Sequence, residues 1–205
     1  MDEEALRLLE RLEERLYAAW ILYAIISFTY WIPVAQGFLV LISTTWYRGL
    51  PEKAQNIISV VYWLGLGVAS FYVAAVPHWR RYIKRLAAKT RKPRYTVLAT
   101  ASWPLGALAG YLAVWATGTE RTAPVWLLTF VGVGTLGQAI VERVVFRRIP
   151  ASFPAVLASF AGLAALPWVP LDPYVETVYT LAVLSLGYSL TVLCYAARSL
   201  AAATT

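Results

Sequence analysis

PVWLLTFVGVGTLGQAIV, Pro124–Val141, runs for 18 residues without a charge and contains a literal G-x-G-x-x-G at Gly132, Gly134 and Gly137. In a dinucleotide-binding unit that fingerprint follows a strand and aims a helix N-terminus at pyrophosphate. Here apolar sequence flanks it on both sides, no strand precedes it, and there is no room for a βαβ unit. The stretch reads instead as a membrane-spanning helix. Its glycines are places where neighbouring helices approach closely, as small residues allow in a bilayer.

Five further apolar runs surround it, so that six fall at about 17–43, 57–76, 96–117, 124–141, 152–169 and 174–197. Each approaches the ~20 residues that cross a ~30 Å hydrocarbon core. The first is longer and should tilt or kink, with Pro33 as the place to bend. Of the 205 residues 60% are apolar and 14% charged, and the mean hydropathy is +0.60. A soluble domain carries roughly a quarter charged residues. The expected fold is therefore an all-α integral membrane bundle of six helices. Residues 17–199 form that single domain, with a cytoplasmic amphipathic helix at 1–16 and a short tail at 200–205. The acidic start (Asp2, Glu3, Glu4) and the long first run do not suit a signal peptide.

Charge sets the direction. HWRRYIKRLAAKTRKPR, His78–Arg94, holds eight of the eighteen lysines and arginines and no acid. With Arg7, Arg11, Arg15, Arg143, Arg147, Arg148 and Arg198 it places fifteen on one side of a six-span chain, against Arg48, Lys53 and Arg121 on the other. The positive-inside rule then puts both termini and the basic loop 78–95 in the cytoplasm of a cell-membrane protein. Tyr17, Trp20, Trp79, Tyr82, Tyr95 and Tyr195 flank the inner face, and Trp46, Tyr47, Trp115, Trp126, Trp168 and Tyr174 the outer one, as amphipathic rings do at headgroups. On a helix, Arg80, Arg81, Lys84 and Arg85 lie opposite Trp79, Tyr82, Ile83 and Leu86. This is an interfacial helix whose basic face meets anionic lipid or a cytosolic partner. The ring spacing suits a membrane face better than base stacking, so nucleic acid is disfavoured. In the segment 1–16, Ala5, Leu9, Leu12 and Leu16 recur at helical spacing and form a second face for lipid, a partner or another copy.

Catalytic chemistry is hard to place. A single cysteine, Cys194, and a single histidine, His78, exclude an internal disulfide, the usual zinc sets and a bis-His haem. No aspartate or histidine lies deep in a span, so neither an intramembrane protease nor a metal-dependent lipid enzyme finds its residues. The expectation is a non-enzyme without cofactor or metal. Asp172, ahead of Pro173, reads as a helix N-cap and Glu176 as a first-turn acid. Scarce methionine and asparagine point to a heat-adapted prokaryotic source.

The remaining intramembrane polarity is uncharged. Thr29, Pro33 and Gln36 share one face of the first span, and Thr135, Gln138 and Glu142 one face of the fourth. An amide in hydrocarbon is costly unless it faces a partner or water. The two glutamines also sit at comparable depths in halves that run in opposite directions, as transporter repeats do. They suggest a weakly polar path for a small solute or ion. The simpler reading is that each glutamine bonds a neighbouring helix, with Glu142 reaching the cytoplasmic interface. Ser102, Gly106 and Gly110 form a small-residue seam on the third span, as do Ala158 and Gly162 on the fifth. Solute binding or movement is the leading function. A non-catalytic membrane subunit, docking an ATPase or a polyanion through its basic loop and N-terminal helix, is the alternative.

Overall fold

The computed structural model describes residues 24–78, 80, 81, 84, 93–146 and 149–204. The helix expected at 1–16, the start of the first span, Trp79, Tyr82, Arg85, Arg147 and Arg148 lie outside the described residues. Within them all regular structure is helical. The chain runs through α1 (Ala24–Ser43), a single turn at Thr45–Arg48, and α2 (Glu52–His78). α3 (Pro93–Thr117), α4 (Thr122–Phe146), α5 (Phe153–Ala165) and α6 (Pro173–Thr204) follow. Five of the six major helices, all but α5, are long and apolar enough to cross a membrane, which makes this a multi-pass membrane protein.

The region expected as the fifth span departs from that pattern. α5 has 13 residues, and a 3₁₀ turn, Leu166–Trp168, extends it by three. Together they measure about 25 Å, short of a hydrocarbon core. At the other extreme α6 runs on to Thr204, past the expected end at 197. α2 continues beyond Pro77, and Arg80, Arg81 and Lys84 are helical and exposed.

α4 is the centre of the packing, with α3, α5 and α6 against it. Its glycines explain how closely. The Ser102–Gly106–Gly110 seam of α3 lies on α4 in antiparallel register. A Cβ at Gly106 would stand 2.5 Å from the Phe130 carbonyl oxygen, and one at Gly110 2.7 Å from that of Trp126. Gly134 meets the Trp103 ring, and Gly137 the Ser102 side chain. Gly132 faces α5 through Phe160, and Gly162 meets Val183 of α6. Thus GVGTLG is a packing surface used on two sides. Gly118 takes φ +56° just past α3, the left-handed geometry in which glycine ends helices.

α1 packs on α6 by Phe28 against Tyr188 and Tyr195, and it is tied to α2 by tyrosines. Tyr62 Oη donates to the Val34 carbonyl at 2.7 Å. Tyr30 Oη engages Ser70 and the carbonyls of Leu66 and Gly67. Those carbonyls belong to a π-helical stretch, Trp63–Ala69, inside α2, where the changed hydrogen-bond spacing admits an outside donor. Val60, Val61, Leu64, Val68, Tyr72 and Val73 of α2 remain exposed, an apolar outer face suited to lipid contact.

Gly137→Ala or Gly106→Ala should lower resistance to unfolding in detergent by about 1–3 kcal/mol through overpacking. Gly65→Ala, where an added Cβ meets nothing within 4 Å, should not. Thermal or dodecyl sulfate unfolding of the three variants makes the comparison.

Candidate functional site: a charge-clamped helix and an aromatic cavity

Two polar side chains, Glu142 near the end of α4 and Arg121 just ahead of its start, hold the short helix α5 at its two ends. Glu142, 5% exposed, accepts from the backbone N–H groups of Ala151 at 2.8 Å and Ser152 at 3.4 Å through one oxygen. Its other oxygen accepts from the Tyr195 hydroxyl and, at 3.3 Å, from Gln138 Nε2. Thr191 Oγ1 of α6 accepts from Ala155 N–H at 3.1 Å, and Pro154 has no N–H to satisfy. The polar N-terminus of α5 is thereby paired inside the bundle.

At the opposite end Arg121 does the complementary work. Its guanidinium donates to the carbonyl of Leu166 and, at 2.7 Å, to that of Val169. Its Nε lies 3.3 Å from Glu176 Oε1 on α6. These two charges oppose the dipole of α4, which would prefer an acid at its start and a base at its end. They match the dipole of antiparallel α5 instead. The two contacts also fix direction: α4 and α6 run one way and α5 the other. Asp172 caps α6 by accepting from Val175 N–H at 2.8 Å, and no group of three or more metal-ligating side chains exists among the described residues.

Next to the Glu142 cluster lies a cavity of about 680 Å³ bounded by α1, α2, α3, α4 and α6. Phe28, Trp31, Trp63, Phe71, Trp103 and Phe130 are among its walls. Among the described residues no Asp, Glu, Lys or Arg lines it, and the polar lining includes Ser27, Gln138, Thr177, Thr180 and Tyr188. The hydroxyls of Thr177 and Thr180 donate to carbonyls of their own helix, each at 2.7 Å. Gln138 is fully buried. Its Nε2 donates to Tyr195 at 2.9 Å and to Glu142, while its Oε1 has no partner. α2 and α3 both contribute walls but share no extensive seam with each other among the described residues.

The expected path between Gln36 and Gln138 does not form. Thr135, Gln138 and Glu142 are buried on the inner face of α4, whereas Thr29, Pro33 and Gln36 are exposed on the outer face of α1. Aromatic packing decides that rotation. Turning Phe28, Trp31, Ala35 and Phe38 inward sets Trp31 5.0 Å from Phe71 and Phe38 5.2 Å from Trp63, ring centre to ring centre, and dispersion contacts of this kind drive helix association in lipid. Thr135 donates to its own helix, at 2.7 Å to Val131 O, and contributes nothing to the cavity lining. Glu142 is buried and bonded to the segment that leads into α5. Tyr195 and Tyr47, read as interfacial rings, are buried at 1% and 8% exposure. Tyr195 completes the Glu142 cluster, and Tyr47 meets Ser59 Oγ at 2.8 Å. The residues that sequence reading passed over are Arg121 as a clamp and the cavity rings. The only hint of the first was its sign at the wrong end of α4.

Glu142→Leu would leave several buried donors without an acceptor and should cost on the order of 3 kcal/mol or more. Arg121→Leu should destabilise in the same direction, while exposed Glu120→Gln should be silent; denaturant titrations in detergent micelles give the ranking. Compared with protein-family models, curated proteins and solved structures, the chain matches none of them.

Proposed function

We propose that this chain is a six-span protein of the cell membrane, with both termini cytoplasmic, that binds a small solute in the cavity between α1, α2, α3, α4 and α6 and so holds or moves it within the bilayer. The observation that carries this reading is the cavity itself: about 680 Å³, within the range of small-molecule sites, mostly apolar with a few polar groups. An interior that served packing alone would close at native density.

The short α5 counts as a span in this reading because of what holds it. Arg121 and Glu142 stand about 31 Å apart along α4, and each grips one end of α5. A helix held at both ends by α4 traverses the same slab that α4 traverses. Six alternating helices then agree with the fifteen-to-three division of basic residues.

A second reading, a membrane subunit that docks a cytosolic partner, is favoured by one observation. Beyond α2, Arg80, Arg81 and Lys84 are each helical and exposed. Those charges serve lipid contact and orientation equally well.

Topology is testable by impermeant maleimide labelling in a Cys194→Ala background. A cysteine at Glu120 should label from outside the cell, and cysteines at Lys84 and Ala201 only after permeabilisation. Opposite sidedness for Lys84 and Ala201 would end the six-span reading. For the cavity, Ala35→Trp should fill it. Mass spectrometry of small molecules co-extracted with the purified protein should show a species enriched in the wild type and lost in that variant. Identical extracts, together with a stoichiometric cytosolic protein retained by the wild type and lost on changing Arg80, Arg81 and Lys84 to glutamine, would favour the subunit reading.

A further inference from the structure

We propose that the cavity takes a neutral, ring-bearing ligand from the lipid phase, held by a hydroxyl or N–H donated to Gln138 Oε1; this rests on the cavity being the binding site. Three observations define that class. First, no charged side chain lines the cavity among the described residues. An ionic ligand would enter a low-dielectric space without a counter-charge, at a cost that membrane interiors make severe. Second, the walls are aromatic, with tryptophan on four of the five contributing helices' surfaces: Trp31 on α1, Trp63 on α2, Trp103 on α3 and Trp126 on α4. Such walls offer faces and edges to a flat ring, which gains offset-stacked or edge-to-face contacts that a saturated chain does not.

Third, the amide of Gln138 is oriented by its own partners. Its Nε2 is committed to Tyr195 and Glu142, so the group left over is the acceptor Oε1, unpartnered and buried. Donation from Nε2 to the Glu142 carboxyl draws electron density toward Oε1 and strengthens it as an acceptor. The same Glu142 is pinned by Ala151 and Ser152, which holds the amide in one orientation. A buried acceptor so prepared calls for a donor. Gln138 has no exposed surface of its own. It lines the cavity beside Phe28, a ring edge-on to Tyr188 at 5.4 Å and 5.8 Å from Tyr195. The ligand's route in this proposal is lateral, between α2 and α3, which share no extensive seam among the described residues.

Three probes of one length separate the elements of the claim: 4-octylphenol, 4-octylanisole, which lacks the donor, and 4-octylcyclohexanol, which lacks the flat ring. Saturable binding is measured on the full-length protein in lipid nanodiscs, with empty nanodiscs subtracted. The phenol should bind about 10-fold more tightly than either relative, the worth of one net hydrogen bond or one ring contact. Gln138→Leu and Gln138→Met should each erase the preference for phenol over anisole, and Ala35→Trp should remove binding of all three. Equal affinities for phenol and anisole in the wild type would overturn the contact to Gln138 while leaving the cavity as a site. Equal affinities for phenol and cyclohexanol would overturn the flat-ring class. Tighter binding of octyltrimethylammonium than of the phenol would overturn neutrality. If no probe binds saturably, or Ala35→Trp leaves binding intact, the cavity reading itself fails.

Discussion

A helix that ends inside a membrane protein exposes polar backbone groups where water cannot reach them, and that constraint organises this molecule. α5 is too short to carry its ends beyond a hydrocarbon core on its own. The N–H groups of Ala151 and Ser152 just ahead of it are met by Glu142, that of Ala155 by Thr191, and the carbonyls of Leu166 and Val169 just past it by Arg121. The two clamping charges come from one neighbour and have the signs that α5's dipole requires.

From that clamp the cavity follows. Glu142 fixes Tyr195 and Gln138, and Tyr195 supports Phe28 of α1. α1 in turn holds α2 by the tyrosine contacts to Val34 and to the π-helical carbonyls. On the other side, glycine contacts draw α3 tightly onto α4. α1 and α2 are thus anchored to α6 and α3 to α4, and the cavity lies among these helices. Tight packing in one seam and an opening in the next are both consequences of where small and aromatic residues fall.

Much of this was legible in the chain. Apolar run lengths mark the helices, and the GVGTLG stretch in an uncharged run reads as a close-packing surface. Asp172 before Pro173 announces a cap, and it is one. Two inferences went astray for the same reason. Gln36 and Gln138 have similar local surroundings, as do buried Tyr195 and exposed Trp46 and Trp115, and local pattern cannot report which way a helix turns about its axis.

Composition and run length by themselves determined that this is an all-helical membrane protein, because a long uncharged apolar helix is stable only where lipid or a buried core surrounds it. Only the tertiary structure decided which polar groups act. The rotation of α1 follows from ring packing against α2 and α6, contacts between residues far apart in the chain. The roles of Arg121 and Glu142 depend on an antiparallel neighbour whose ends happen to lie within their reach. A side chain's sign is written in the sequence, but the dipole it compensates belongs to another helix.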